Sequence, residues 1–337
     1  MKILVSFEPK IAYDNFEGAR LRKSIKGALE ATNIPYVSEE TKDFDIAHIM
    51  SPISEPLVDE CVRKGIPVVV SALYCESDKY ASFIKYSSSS KKGRKETLTP
   101  EAVRVLSKAT LITVPTKAAK QFLIDAGIQT PIDILYPTVN LTRFTQYDAE
   151  KGIFFRHYQE EEDKKLVVCL GSYDNVDGIT AFIKLAGRYP NVLFYYFSQD
   201  TLKMRYKIKE LMKITPRNLK FKQIPSDDIY RSVIINASIF TYFGYSTAGI
   251  TTIFEAMAGH CDVVLRKQHL FEELLTDGVY CHIGEYSETI SSIIRDLLDG
   301  KLASTNQKGF EMVASLGLDV FGKKLKEIYT KLLKEQK

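Results

Sequence analysis

The stretch that decides the fold is Ile253-Phe254-Glu255-Ala256-Met257-Ala258-Gly259-His260, which is followed at once by the apolar run Val263-Val264-Leu265. A polar, glycine-containing segment, Gly244-Tyr245-Ser246-Thr247-Ala248-Gly249, precedes it. A strand, a loop and a helix in this order present backbone N–H groups and the positive end of a helix dipole to an anion such as a diphosphate. We therefore expect Glu255 at the start of this helix, where its carboxylate is able to accept hydrogen bonds from a ribose. The alternative is that Glu255 only complements the helix dipole from the first turn.

Short apolar runs alternate with helical segments along the rest of the chain. The runs 3–7, 46–49, 67–70 and 111–114 have the continuous apolar character of parallel strands buried on both faces. The gaps between them show helical periodicity, and Gly65 and Gly127 are typical of helix C-caps. The pattern restarts at Leu166-Val167-Val168-Cys169-Leu170-Gly171. The sequence therefore predicts an α/β protein with two Rossmann-like, doubly wound parallel-sheet domains that face a cleft.

The length supports two domains, because 337 residues exceed the size at which a single core usually stops growing. We expect an N-terminal domain over 1–150, a C-terminal domain over 151–320, and a C-terminal helix over 321–337 that packs back on the N-terminal domain. We place the linker in the polar stretch that ends in the acidic run Glu160-Glu161-Glu162-Asp163.

Composition excludes several classes of protein. The net charge of +4 is too small to argue for nucleic acid, and no apolar run approaches the roughly 20 residues that span a bilayer. The first residues resemble a buried strand rather than a signal peptide, so we expect a cytoplasmic protein. The five cysteines form no CxxC pair and the histidines form no HExxH motif, so no metal site held by the protein is predicted.

Two basic clusters suggest surface contacts. The loop 85–95 is polar and rich in serine, and we expect it to touch anionic lipid headgroups through Lys91, Lys92, Arg94 and Lys95. The alternative is an ordinary solvated loop. The second cluster, 323–337, alternates lysines with apolar residues at helical spacing, and its apolar stripe is expected to pack on the protein itself.

Several motifs resemble known glycosyltransferases. Ala109-Thr110-Leu111-Ile112-Thr113-Val114-Pro115-Thr116, Gly127-Ile128 and Tyr136-Pro137-Thr138-Val139-Asn140-Leu141-Thr142-Arg143-Phe144 resemble the ADxIxxPS, YGI and YPPVDxxRF sequences of family 4 glycosyltransferases, with Asn140 where Asp is usual. The opening stretch resembles the second half of their ExxxxxxxE signature. The segments 17–21, 43–48, 155–158, 264–266 and 275–279 resemble bacterial diglycosyl-diacylglycerol synthases.

This resemblance implies the GT-B architecture and a retaining transfer of glucose or galactose from a UDP-sugar to a membrane glycolipid such as monoglucosyl-diacylglycerol. The N-terminal domain would take the acceptor, at the inner face of the cell membrane, and the C-terminal domain the donor. Gly18 would allow the backbone after the first strand to approach the diphosphate closely. The implied donor-binding residues are Glu255, Gly18, Gly249, Ile250, Thr251, Ser172 and Arg266.

Three features depart from the family pattern. Thr247 stands where the first Glu of ExxxxxxxE is expected, and Ser172 and Asp177 stand where an Arg and a Lys usually neutralise the leaving diphosphate. The segment 70–78 lacks the His that the family commonly offers near the reacting sugar, and Glu76 or Asp78 is expected to contact the acceptor instead. Thr247, Glu76 and Asp78 are therefore the candidate catalytic residues.

Two explanations of these departures remain compatible with activity: Mg²⁺ that arrives with the UDP-sugar, or a relocated basic residue such as Lys267. A third explanation is a catalytically silent accessory subunit that binds a lipid, a sugar or a partner enzyme. A fourth reading keeps the transfer but directs it to a protein or wall-polymer acceptor. Oligomeric state is not predicted.

Overall fold

The computed structural model divides the chain into two compact units. The first contains Met1–Val139 and Leu316–Lys337, and the second contains Asn140–Ser315. The structure describes residues 1–6, 16–38, 43–50, 54–72, 98–145, 148–171, 173, 175–198, 206–244, 249–268 and 272–335. Each unit has one six-stranded parallel sheet flanked by helices, so the predicted fold class is confirmed for both.

The sheet of the first unit has the strand order β2-β1-β3-β4-β5-β6. The strands Ile3–Ser6 (β1), Ile46–Ile49 (β3), Val68–Ser71 (β4) and Leu111–Val114 (β5) are buried throughout, as expected for apolar strands covered on both faces. Gly65 and Gly127 have positive φ angles of 68° and 86° after the second and fourth helices, as the C-cap prediction requires. The elements are β1 (Ile3–Ser6), α1 (Phe16–Ala31), β2 (Tyr36–Val37), β3 (Ile46–Ile49), α2 (Glu55–Arg63), β4 (Val68–Ser71), α3 (Pro100–Lys108), β5 (Leu111–Val114), α4 (Lys117–Asp125) and β6 (Ile132–Ile134).

The sheet of the second unit has the strand order β12-β11-β10-β7-β8-β9. Numbered within the unit, this is the order 6-5-4-1-2-3 of a Rossmann sheet. The elements are α5 (Thr142–Thr145), α6 (Asp148–Tyr158), β7 (Leu166–Leu170), α7 (Val176–Arg188), β8 (Leu193–Ser198), α8 (Tyr206–Lys213), β9 (Leu219–Gln223), α9 (Asp227–Asn236), β10 (Ala237–Tyr242), α10 (Ile250–Ala258), β11 (Asp262–Arg266), β12 (His282–Gly284), α11 (Ser287–Leu298) and α12 (Asn306–Ala314).

The last helix, α13 (Leu318–Glu335), belongs to the first unit. Its apolar side is buried against β1, β3 and α1, and a Cβ atom added to Gly322 would overlap the carbonyl oxygen of Ala28, so the two helices approach closely. Tyr329 lies in the core, where its hydroxyl oxygen is 2.6 Å from Nδ1 of His48. Nε2 of the same imidazole is 2.8 Å from Oγ of Ser71, which lies at the end of β4. The apolar stripe of α13 is thus used within the unit, and its lysines are exposed.

The domain boundaries differ from those expected from the sequence. The units divide at 139/140 and 315/316, rather than at 150/151 and 320/321. The predicted linker before and within the acidic run is wrong, because this segment is packed into the second unit. Phe154 is fully buried and its backbone N–H donates to Oγ of Ser232, while the hydroxyl of Tyr195 donates to Oε1 of Glu160 at 2.7 Å.

Among the described residues, no helix combines the length and the apolarity needed to cross a bilayer.

Candidate functional site

The strand order of the second unit reverses between β7 and β10. In open α/β sheets, ligands bind beyond the carboxyl ends of the strands at such a reversal. Two helices begin at this edge: α7 follows β7, and α10 follows β10. The N–H groups in the first turn of a helix have no acceptor within the helix, and the helix dipole adds partial positive charge there. This edge is therefore suited to an anionic ligand.

The two loops at the reversal are joined through the carbonyl group of Phe243. Nδ2 of Asn175 donates to this oxygen at 2.8 Å, while Oδ1 of Asn175 accepts the N–H of Gly178 and so caps α7. A Cβ atom at Gly178 would lie 2.6 Å from Cβ of Phe243, so only glycine permits this approach of α7. The thiol of Cys169 lies nearby at the end of β7, and burial raises its pKa, which keeps it neutral. Asn175 thus links the start of α7 to the end of β10, and the neutral Cys169 thiol does not repel an anion.

Arg266 contributes to the same junction. It is 1% exposed, and its guanidinium donates from Nε to the Phe243 carbonyl, from Nη1 to the Glu285 carbonyl and from Nη2 to Oγ of Ser287. Gln268 adds a bond from Nε2 to the Gly244 carbonyl at 3.1 Å. These three N–H groups bind protein groups and fix the point where the chain leaves β10. A direct contact between Arg266 and the donor stays a prediction.

Glu255 does not lie at the start of its helix. Helix α10 begins at Ile250, with Gly249 at the N-cap, so Glu255 is its sixth residue and lies in the second turn. This finding corrects the predicted position of Glu255 at the start or in the first turn of the helix, whereas its contact with a ribose stays a prediction. All nine residues of α10 are buried, and Glu255 is 3% exposed. Because helical side chains point back toward the N-terminus, its carboxylate is nevertheless directed toward the anion-binding end.

Arg143 is the cation that accompanies Glu255. Its Nη1 lies 3.6 Å from Oε1 of Glu255, and its Nη2 donates to Oδ2 of Asp227 at 2.7 Å. The Arg143 side chain is 17% exposed and Asp227, the first residue of α9, is 39% exposed. One guanidinium therefore connects a buried carboxylate with one near the surface. Arg143 belongs to the motif Tyr136–Phe144, and no role was predicted for it from the sequence.

The remaining predicted residues divide into two groups. Gly249, Ile250 and Thr251 form the N-terminus of α10, and Gly18 lies in the first turn of α1, the first helix that the structure describes after β1. The other group lies outside the described ranges, and the roles of its members stay predictions: Thr247, Ser172, Glu76, Asp78, Lys91, Lys92, Arg94 and Lys95.

Within the part of the chain that the structure describes, no three His, Cys, Asp or Glu side chains converge in a way that could hold a metal ion. Asp177 lies in the first turn of α7 and is exposed, so its carboxylate complements the helix dipole. Lys267, the candidate relocated cation, has Nζ 3.3 Å from Oε1 of Glu285.

Solved structures that resemble the whole chain define its class. A sucrose-phosphate synthase from Thermosynechococcus elongatus has a TM-score of 0.71 and 14% sequence identity, with 99% of this chain and 100% of that one covered. The Anabaena protein HepE, solved with UDP and glucose, has a TM-score of 0.69 and 15% identity, with 98% and 100% covered. The chain has the GT-B fold, as the motifs implied.

Sequence comparison gives a more particular relative. The chain is 23% identical over 316 residues to a processive diacylglycerol alpha-glucosyltransferase from Acholeplasma laidlawii, with 92% of each protein covered. No protein-family model matches the sequence. The predicted resemblance to glycosyltransferases of membrane glycolipids is thereby confirmed, as is the prediction of a glycosyltransferase enzyme.

Proposed function

We propose that this protein is a retaining hexosyltransferase that moves glucose or galactose from a UDP-sugar to a membrane glycolipid such as monoglucosyl-diacylglycerol. It would act as a peripheral protein on the inner face of the cell membrane. The diacylglycerol glucosyltransferase from Acholeplasma laidlawii supports the acceptor class, because the similarity extends over 92% of both chains. The Anabaena structures with UDP and with UDP-glucose support the donor.

The observation that carries this proposal is the buried Glu255 carboxylate, which lies in a helix that begins at the strand reversal and faces Arg143 of α5. A carboxylate with 3% exposure is retained in a protein when a nearby group compensates it, and Arg143 lies 3.6 Å away. Such a fixed acceptor near a helix N-terminus matches a nucleotide with a ribose at one end and phosphates at the other. The proposed roles are a ribose contact for Glu255 and a diphosphate contact for the first turn of α10.

The reaction breaks the bond between the anomeric carbon and the diphosphate oxygen, and it forms a bond to an acceptor hydroxyl oxygen on the same face of the sugar. The hydroxyl proton leaves with the departing UDP. Negative charge grows on the diphosphate during this step, so the N–H groups in the first turns of α7 and α10 that have no acceptor within the helix would lower the barrier. Mg²⁺ bound with the diphosphate would supply further positive charge, and the exposed Asp177 carboxylate is available to face it.

Residues outside the described ranges are proposed to contact the two sugars and the membrane. Glu76 and Asp78 are proposed to contact the acceptor sugar, and Thr247 is proposed to contact the donor sugar. The basic loop with Lys91, Lys92, Arg94 and Lys95 is proposed to touch anionic headgroups, and neutralising these four residues should weaken sedimentation with anionic vesicles at low salt.

A direct transfer assay tests the function. Purified protein is incubated with UDP-glucose or UDP-galactose and monoglucosyl-diacylglycerol in mixed micelles, with Mg²⁺ or with a chelator, and the product is analysed for linkage and anomeric configuration. We expect a diglycosyl lipid that retains the donor's configuration. Glu255→Gln should lower the affinity for UDP, whereas Glu285→Gln, an exposed carboxylate in the same unit, should not. No transfer under any of these conditions contradicts the proposal, and a product formed only on protein or wall-polymer acceptors redirects it.

The acid at the start of α7 also favours a second candidate, a silent GT-B subunit. Asp177 occupies the first turn where family members usually carry a cation for the leaving group. A silent subunit would give no turnover with any acceptor. Loss of UDP-sugar binding in Glu255→Gln, measured by calorimetry, together with turnover in the wild type, would count against it.

A further inference from the structure

The segment 206–223 of the second unit carries an unusual excess of positive charge. It contains six Lys or Arg residues and one acid, Glu210, so its net charge of +5 exceeds the +4 of the whole chain. The segment comprises α8, the connection after it, and β9, which is the edge strand of the sheet. The residues that matter below are Tyr206, Lys207, Lys209, Ile214, Arg217 and Lys220, and we call them the α8–β9 surface.

Most of this charge is not neutralised within the protein. Lys213 pairs with Glu210 at 2.7 Å, and Nζ of Lys222 lies 5.6 Å from the ring centroid of Tyr158. The other four, Lys207, Lys209, Arg217 and Lys220, have no carboxylate within 4.0 Å among the residues that the structure describes. Four exposed cations are thus left to attract an external anion.

The same surface exposes two large apolar side chains. Tyr206 is 78% exposed and Ile214 is 70% exposed, the two highest values among the exposed large hydrophobic residues of the described chain. They lie at the two ends of α8, whose inward side is formed by Ile208, Leu211 and Met212. Helical spacing puts Tyr206, Lys209 and Lys213 on the same outward side. The apolar tips therefore stand among the lysines.

Exposed aromatic character distinguishes the α8–β9 surface from the lysine-rich face of α13. On α13, Lys323 lies 3.7 Å from Asp319 and Lys331 lies 3.9 Å from Glu335. The other lysines of this helix have no carboxylate within 4.0 Å among the described residues, and the helix exposes Val320 but no aromatic side chain. A solvated charged face has this mixed character. Exposed Tyr and Ile among unpaired cations are instead typical of a surface that meets the boundary between lipid headgroups and acyl chains.

We propose that the α8–β9 surface docks the enzyme on an anionic phospholipid bilayer, with the cations at the phosphates and with Tyr206 and Ile214 inserted at the headgroup level. This inference rests on the proposed function, which puts the acceptor in a membrane. It identifies an attachment site in the donor-binding unit, separate from the basic loop of the first unit. Single-stranded nucleic acid fits less well, because its bases stack on aromatic rings and Ile214 offers none.

Vesicle co-sedimentation tests the proposal, with the full-length protein on phosphatidylcholine vesicles with and without phosphatidylglycerol, at low and at physiological salt. Each cation near an anionic surface is worth about fivefold in binding, so Lys207→Ala/Lys220→Ala should lower partition onto anionic vesicles roughly 25-fold. At physiological salt, where the charge contribution is screened, Tyr206→Ser/Ile214→Ser should lower the partition onto anionic vesicles more than Lys207→Ala/Lys220→Ala does. The matched control is Lys323→Ala/Lys331→Ala, which removes the same charge from α13 and should change partition much less.

Equal losses in the two lysine variants, or no loss in the first, would overturn the proposal. So would retained vesicle binding in Lys207→Ala/Lys220→Ala with loss of affinity for a single-stranded RNA oligonucleotide, which would indicate a nucleic-acid surface.

Transfer to a water-soluble short-chain acceptor separates docking from function. If the wild type shows no transfer but the vesicle results hold, the docking site stands and the proposed function fails. If soluble transfer is normal in all variants and sedimentation is unaffected, the proposed function stands and the docking site fails.

Discussion

Lowering the pH from about 7.5 to about 5 should remove roughly 2 kcal/mol from the folding free energy through one side chain, His48. This imidazole is 0% exposed and lies between the Tyr329 hydroxyl and Oγ of Ser71, two neutral groups. Burial lowers its pKa from 6.5 to about 3. No carboxylate bonds to the ring among the described residues, so a proton on it would have no charged partner.

The sign and the size of the effect follow from this lowered pKa. In the unfolded chain His48 binds a proton as the pH falls through 6.5, whereas in the folded chain it stays neutral down to about 3. The unfolded state therefore binds more protons in this window, and stability falls as the pH falls. One pKa unit corresponds to about 1.4 kcal/mol, so the loss through His48 is about 2 kcal/mol at about pH 5 and approaches about 5 kcal/mol near pH 3.

Urea denaturation followed by circular dichroism measures this loss at the two pH values. Other groups also titrate, so the decisive quantity is the difference in pH dependence between the wild type and His48→Gln, which keeps hydrogen-bonding groups but cannot titrate. We expect the wild type to lose about 2 kcal/mol more than His48→Gln. Equal pH dependence in the wild type and in His48→Gln would refute the reasoning.

Three further predictions concern the second unit. Arg143→Ala should raise the Kd for UDP, measured by calorimetry, about tenfold or more, because it leaves the buried Glu255 carboxylate without this cation. Arg143→Lys should restore part of the lost affinity. An unchanged Kd would mean that the pair has no part in nucleotide binding. Gly178→Ala should lower stability by about 1–3 kcal/mol, read as a lower Tm, because the new methyl group overlaps Phe243; a Tm equal to that of the wild type would contradict this close approach. Arg266→Met should cost about 3 kcal/mol or more in urea denaturation. It leaves the Glu285 carbonyl and the Ser287 hydroxyl without this buried donor, and it removes one of the two donors to the Phe243 carbonyl. A smaller loss in Arg266→Met than in Gly178→Ala would argue against a positioning role.

Elements with strong local signals were predictable from the sequence. The continuous apolar run of β7 is a fully buried parallel strand, and Pro100–Lys108 is a helix in one of the gaps that show helical periodicity. Thr99 accepts the N–H of Ala102 and proline follows it, a combination that marks a helix start in sequence as well as in structure. In these elements, propensity, burial and capping favour the same structure.

The start of α10 was misplaced because its first turn contradicts its propensity. Ile250, Thr251, Thr252 and Ile253 are β-branched and are poor helix formers, so the pattern appeared helical only from Glu255 onward. Tertiary burial of all nine residues overrides this preference. The environment of Glu255 therefore had to be seen rather than inferred.

Contacts between distant positions left no local signal at all. Arg143 and Glu255 are far apart in sequence, and nothing in either segment indicates that they meet. The linker error has a similar cause. The acidic run suggested an exposed connection. Glu160 instead accepts a hydrogen bond from Tyr195 of β8, which is 35 residues away in the sequence.

The last helix of the first unit has a consequence for how the protein is made. Core residues of that unit, including Tyr329, lie beyond Ser315, so its sheet cannot be fully covered on the ribosome until the intervening unit has been synthesised. The second unit is continuous in sequence and meets no such delay. The usual order of domain maturation, from the N-terminus onward, is thus reversed. Until α13 emerges, the apolar surface around β1 and β3 stays uncovered in the nascent chain, and a stalled ribosome or a premature stop would expose it to chaperones and to aggregation.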